Sequence, residues 1–209
     1  MTIKLYGFPI SNYYNMVKCV LLEQGLDFEE ILVKPSQEDD YLAKSPMGKV
    51  PCIETAQGFL TETAVIIDYL DENGPGPSLY PVDPFARAKV KELMHQMELY
   101  IELPARRLYG EVFFDRPASD EEKAAVRKLL EQGFAALARL GKYDPYIAGE
   151  QFTYADIFFR FSVGLATVVC KRALDWNAYK ELPNIRPLLE LIDQRDSVQR
   201  ALIDQARVG

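Results

Sequence analysis

The sequence predicts an α/β domain followed by an all-α domain. Three observations carry that expectation. Residues 1–75 alternate short apolar runs with amphipathic stretches in the order βαβαββα. A run dense in proline and glycine, GPGPSLYPVDP (74–84), comes next, as a linker should. Beyond it strand signals cease and helical periodicity takes over. The expected boundaries are an α/β domain at 1–75, a linker at 76–83 and a helical domain at 84–209.

Each element has a local reason. IKLYGF (3–8) is a short run of strand formers, and NMVKCVLLEQG (15–25) spaces Met16, Val17, Val20 and Leu21 as one helical face ending on Gly25. DFEEILV (27–33) alternates into a second strand. Ser36 and Asp39 have the spacing of a capping box, which predicts a short helix over SQEDDYLAKS. VPCIET and GFLT read as strands joined by a hairpin around Ala56, Gln57 and Gly58, and ETAVIIDYLDENG (62–74) as an amphipathic helix. In the second half Asp83-Pro84 is an N-cap followed by an N1 proline, and Pro104 should kink or end the helix they open. SDEE (119–122) caps a helix running to Gly141, and TYAD (153–156) caps the most apolar stretch, IFFRFSVGLATVVC. Leu182 onward gives two shorter helices.

Composition excludes several function classes. The net charge is −7, and all of it falls on residues 1–80, which hold five lysines, no arginine and twelve carboxylates. Such a chain lacks the basic stripe that nucleic acid requires. No stretch approaches the roughly 18 uninterrupted apolar residues of a membrane helix, and the first residues lack the apolar core of a signal peptide. Three distant cysteines (Cys19, Cys52, Cys170) without a CxxC pair, and the single His95, give neither a disulfide framework nor a metal site. A cytoplasmic, metal-free protein is expected.

The chemistry concentrates around the third strand. Pro51 cannot donate to a ladder, so its place between Val50 and Cys52 marks an edge or a turn that frees Val50's backbone. Glu62 and Thr63 open a helix whose unpaired N–H groups and dipole favour a carboxylate. Thr63's hydroxyl adds a donor, and Glu62 can pair with an ammonium. Together they suit the α-carboxylate and α-amine of an amino acid. Plain helix capping, with Thr61 as N-cap and Glu62 in the first turn, accounts for the same residues.

The order βαβαββα with Val-Pro opening the third strand resembles the thioredoxin-like fold. With SPMGKVP (45–51), TET (61–63), FTYADIFF (152–159) and the helical second domain, the whole chain resembles a cytosolic glutathione transferase of bacterial type. The resemblance implies a homodimer that takes glutathione as co-substrate and conjugates it to small hydrophobic electrophiles, a detoxifying chemistry. Val50 would pair its backbone with the cysteinyl part of glutathione and Pro51 would hold that backbone outward in cis. Glu62 and Thr63 would hold the γ-glutamyl end, Lys49 would reach a carboxylate, and Lys34 or Gln37 would approach the glycyl end.

A thiol is mostly protonated at neutral pH, so the site needs a donor beside the glutathione sulfur. The tyrosine-type position falls on Gly7, with Tyr6 facing the other side of the strand, and no cysteine stands at 11–13. The serine-type position matches Ser11, with Asn12 and Tyr13 as the next candidates; Ser11 also fits as a plain N-cap. NYYNMVK departs from the S-x-x-x-R-V pattern, with Met16 in place of arginine, which leaves the subclass open. Met94, Met97, Tyr100, Tyr109, Phe113 and Phe114 are candidates for the wall of an electrophile pocket between the domains, and equally for core. Two other readings share the scaffold: a glutathione-dependent isomerase or peroxidase, and a non-catalytic regulatory member resembling the stringent starvation proteins.

Overall fold

The structure, a computed structural model, describes residues 2–207. They form two compact units, one reaching from the N-terminal strand to Leu79 and including the stretch from Arg195 onward, the other comprising Tyr80–Gln194.

The first unit is built on a four-stranded sheet in the order β2-β1-β3-β4. β1 (Ile3–Gly7) runs parallel to β2 (Phe28–Leu32) through the crossover helix α1 (Asn12–Glu23). β3 (Cys52–Thr55) lies antiparallel to β1 and forms a hairpin with β4 (Gly58–Thr61). A short helix α2 (Asp39–Leu42) precedes β3, and α3 (Thr63–Asn73) follows β4. This is the predicted βαβαββα order.

Leu5 and Ile53 pair across β1 and β3, and both are fully buried. Met16, Val17, Val20 and Leu21 of α1 join them in the core, with Ile66, Ile67 and Leu70 of α3. Each such side chain stabilises the fold by roughly 1.5–3 kcal/mol of apolar burial. α1 starts at Asn12, earlier than the apolar spacing suggested, because Ser11 caps it: Tyr14 N–H donates to Ser11 Oγ at 3.3 Å. The Ser36–Asp39 capping box does not form. Glu38 is the N-cap of α2, and Ser36 Oγ instead accepts from Glu38 N–H at 3.1 Å in a local turn.

A last helix, α12 (Asp196–Ala206), packs against α1 within this first unit. Two polar contacts fasten it. At its start, Glu23 accepts from Ser197 Oγ at 2.5 Å and pairs with Arg195. Further along, Lys18 of α1, only 1 % exposed, binds Asp204 at 2.7 Å. The same lysine binds Glu30 of β2, which also accepts from the Tyr14 hydroxyl. A buried ammonium is tolerable only when so surrounded.

The second unit contains only helices as regular elements among the described residues: α4 (Pro84–Met97), α5 (Leu103–Arg106), α6 (Tyr109–Phe114), α7 (Asp120–Leu140), α8 (Tyr154–Phe158), α9 (Gly164–Ala173), α10 (Ala178–Glu181) and α11 (Ile185–Ile192). The predicted caps are present. Asp83 accepts from Ala86 N–H at 2.7 Å and Ser119 from Glu122 N–H at 3.1 Å. Thr153 and Asp156 form the reciprocal box. Ahead of Pro104, α4 widens into a π-helical turn (Glu98–Glu102). Gly133 of α7 lies against that turn so closely that a Cβ would come within 2.2 Å of the Tyr100 carbonyl oxygen. A second π turn (Phe159–Val163) joins α8 to α9. Trp176 anchors this unit, buried between the ring of Phe134 and the guanidinium of Arg127.

Candidate functional site

The residues singled out around β3 sit in a segment whose backbone is built with unequal care. Gly48 has φ +64°, and a Cβ there would fall 2.1 Å from the Ser36 carbonyl oxygen, so only glycine fits. Lys49, next in the chain, has both backbone groups occupied. Its N–H donates to Ser45 Oγ at 3.2 Å, and its C=O accepts from Ser45 Oγ at 2.8 Å and from the Tyr41 hydroxyl at 3.0 Å. Val50 is the opposite case. It lies outside the β3 ladder, and no hydrogen bond among the described residues uses its N–H or C=O. The Val50–Pro51 peptide is cis. An unpaired donor and acceptor on one residue are what a peptide backbone needs for a single rung of β-pairing. The Lys49 ammonium is exposed and pairs with no carboxylate among the described residues.

The start of α3 is equally distinctive. Glu62, not Thr61, is the N-cap, and its side chain makes no capping hydrogen bond. Ile66 N–H is the first to be paired within the helix, to Glu62 C=O at 2.9 Å, so the N–H groups of Thr63, Ala64 and Val65 have no partner in the helix. Five other helices, α1, α4, α7, α8 and α10, close this gap with a side chain. Glu62 also has φ +66° and ψ 114°, a conformation costly for any residue with a Cβ. An exposed carboxylate, three open N–H groups and the nearly buried Thr63 hydroxyl therefore share one corner.

The turn between β1 and α1 presents Ser11. Gly7 has φ +153°, and a Cβ on it would meet the Tyr14 ring at 2.3 Å, so the tyrosine-type position here is sterically a glycine. Tyr6 faces elsewhere. Its hydroxyl donates to Glu54 at 2.6 Å, and burial together with that carboxylate pushes it up to about 12. Ser11 is partly exposed; its oxygen already accepts from Tyr14 N–H, and its own proton is committed to nothing among the described residues. Accepting one bond strengthens the hydroxyl as a donor. The first turn of α1 carries no acidic residue, so the helix dipole there is uncompensated. Asn12 is buried and Tyr13 partly so.

Other candidates are placed differently. Gln37 spends its amide on the Met47 carbonyl at 3.3 Å, over Gly48, whereas Lys34 is exposed. Met94 and Met97 are core residues of the second unit, 2 % and 0 % exposed, and so are not pocket wall. The Tyr109 hydroxyl binds the fully buried Glu102 at 3.2 Å, and burial raises its pKa far above the ordinary phenol range. Tyr100, Phe113 and Phe114 remain exposed. Cys19, Cys52 and Cys170 are all buried, and burial pushes the Cys52 thiol up to about 11, which makes it a poor nucleophile. A cleft of about 560 Å³ bounded by Leu22, Glu23, Arg195 and Arg200 belongs to the α1–α12 seam, where Glu23 is already paired. No cluster of metal-ligating side chains exists among the described residues, and no helix there is long and apolar enough to cross a membrane.

Comparison with known proteins places the chain in a family. Residues 5–78 match the glutathione S-transferase N-terminal domain and residues 120–190 its C-terminal domain. The chain belongs to the glutathione S-transferase family. A glutathione S-transferase of Pseudomonas putida is 47% identical over 203 residues, covering 97% of this chain and 92% of the relative. A stringent starvation protein A homolog of Pasteurella multocida is 30% identical over 155 residues, 74% of this chain and 70% of the relative. Among solved structures, a glutathione transferase from Populus trichocarpa superposes with a TM-score of 0.81 at 21% identity, covering 98% of this chain and 99% of that one. That likeness extends the family's fold over the whole chain.

Proposed function

We propose that this transferase binds glutathione on the first unit, stabilises its thiolate at Ser11 and adds it to small hydrophobic electrophiles. The observation that carries the reading is the pairing of an open Val50 backbone with the uncapped, strained start of α3. One unpaired amide rung and one carboxylate-plus-ammonium site together match a γ-glutamyl peptide. The γ-glutamyl carboxylate would take the N–H groups and hydroxyl at Thr63, and its ammonium would take Glu62. The cysteinyl N–H and C=O would pair with Val50, which Pro51 holds clear of the ladder, and Lys49 would meet a further carboxylate.

With the cysteinyl backbone so held, the Ser11 hydroxyl and the N-terminus of α1 favour the ionised sulfur. The thiol proton leaves to solvent. The thiolate then forms a C–S bond at an electrophilic carbon, displacing a leaving group or generating a carbanion that is protonated. A homodimer working in the cytoplasm in a detoxifying role is part of the same proposal.

Calorimetric titration with glutathione and an assay with an activated chloronitrobenzene test it. Micromolar to millimolar binding and turnover are expected, and Ser11→Ala should lower kcat by about 10–100-fold with little change in glutathione affinity. No binding at millimolar glutathione would sink the proposal. The similarity to the stringent starvation protein A homolog would then favour the non-catalytic reading. Turnover of a cis-enedione or an organic hydroperoxide, without conjugation, would point to the isomerase or peroxidase.

A further inference from the structure

The turn that presents Ser11 is held by a residue outside the proposed binding set. Asn15 lies one turn into α1 and is fully buried. It grips the turn twice: its backbone N–H donates to the Ser11 carbonyl at 3.1 Å, and its side-chain Nδ2 donates to the Pro9 carbonyl at 2.8 Å. Ser11 N–H closes the turn onto the Phe8 carbonyl at 3.0 Å. Any residue but proline at position 15 would supply the backbone bond. Only the side chain ties down Pro9, midway between Gly7 and Ser11.

That tie has a cost in stability. The other amide atom, Asn15 Oδ1, is buried without a hydrogen-bond partner among the described residues. Flipping the amide would set this oxygen against the Pro9 carbonyl, two acceptors face to face, so the orientation is fixed. A buried unpaired acceptor is unfavourable, and packing alone would be served as well by an apolar side chain of similar volume. The amide is better explained by what it aims than by what it stabilises.

We propose that Asn15 is a positioning residue for thiol ionisation, its buried amide fixing the Phe8–Ser11 turn so that the Ser11 hydroxyl meets the sulfur. Donor geometry must hold to within about half an ångström to stabilise a developing charge. The glutathione-holding groups at Val50, Glu62 and Thr63 lie on other elements, so loosening this turn affects the sulfur and spares the peptide. The inference rests on the reading of Ser11 as thiolate donor.

The test uses Asn15→Leu, which keeps the heavy-atom shape and removes the donor, with wild type and Ser11→Ala in parallel. Glutathione affinity is read by calorimetry, ionisation of the bound thiol by thiolate ultraviolet absorbance against pH, and kcat separately from KM. Asn15→Leu should keep glutathione affinity within about threefold. It should raise the apparent pKa of the bound thiol by about one unit and lower kcat about tenfold near neutrality, with the loss recovered at higher pH.

An unchanged thiol titration and kcat in Asn15→Leu, whatever happens to its melting temperature, overturns the inference while the transferase reading stands. Failure of wild type to bind glutathione, or a Ser11→Ala titration identical to wild type, takes down the reading of the site and this inference with it. Where Asn15→Leu does not fold, the wild-type side-chain amide resonance of Asn15 serves instead. It should shift with the same midpoint as the bound thiol, and a resonance blind to that titration overturns the proposal.

Discussion

At the scale of single residues, the first unit keeps strain and open valences where a ligand would use them. Glu62 is the clearest case, because its two roles oppose each other. As a residue with φ +66° it costs stability, on the order of 1–3 kcal/mol for sparsely populated backbone regions. As an exposed carboxylate beside free N–H groups it suits an ammonium. Glu62→Gly should therefore leave thermal stability unchanged or raise it by up to about 1 kcal/mol, after the entropy glycine adds to the unfolded chain. Glutathione affinity should fall about tenfold, since a charge-assisted contact is lost. Denaturant melts and calorimetry on one sample read both, and a variant less stable yet binding normally would contradict this role. Gly7 and Gly48 follow a simpler logic: each lies where a neighbouring ring or carbonyl leaves no room for a Cβ.

At the scale of elements, two carboxylates, Asp156 fully buried and Asp204 partly exposed, fasten helices in opposite electrostatic settings. Asp156 closes the N-terminus of α8, accepting from Thr153 N–H at 2.8 Å, Ile147 N–H at 2.9 Å and Thr153 Oγ1 at 3.1 Å. Burial outweighs these bonds and pushes its carboxyl up to about 6 from an ordinary 3.8. A carboxyl with a raised folded pKa holds its proton more tightly in the folded state. Its contribution to stability is complete below about pH 4 and lost as pH rises to about 6, an effect of order 1–3 kcal/mol. Urea melts from pH 4 to 7 should show that slope in the difference between wild type and Asp156→Asn, and a pH-independent difference would contradict it.

Asp204 on α12 is the reverse case. Its hydrogen bond to the Lys18 ammonium holds the carboxyl below the usual range, so the stability it contributes is present above about pH 4 and lost on acidification. Asp204→Ala should destabilise the protein by about 1–3 kcal/mol at neutral pH, less than a fully broken buried pair because Glu30 still neutralises Lys18. Thermal melting reads it, and a neutral outcome would show that the Lys18–Asp204 pair does not fasten α12.

At the scale of the whole molecule, the fold was legible because local rules were obeyed nearly everywhere. Alternating patterns gave the four strands, and Asp83, Ser119 and the Thr153–Asp156 pair announced their helices. The exceptional features of the site were legible as breaches of those rules: a proline beside a strand, and a helix opening on Glu62-Thr63. What stayed hidden depends on partners distant in sequence. Lys18 reads as an ordinary polar position on a helix, yet its carboxylates come from 12 and 186 residues away. The same contacts bring α12 to the first unit. Nothing local marks Asn15 as buried, or Glu102 as a fully enclosed carboxylate. Met94 and Met97 have the same spacing whether they line a pocket or fill a core, and only burial decides.

The proposed homodimer belongs to this scale too. Light scattering should return about twice the 23.8 kDa chain mass, and a monomer mass would refute it. The central claim, a glutathione site built from Val50, Glu62, Thr63 and Ser11, is tested most directly by a crystal structure with glutathione bound. The account predicts the cysteinyl backbone paired with Val50, the γ-glutamyl carboxylate on the N–H groups opening α3, and the sulfur within hydrogen-bonding distance of Ser11 Oγ. A glutathione bound elsewhere, or a sulfur met by Asn12 or Tyr13 with Ser11 turned away, would contradict it.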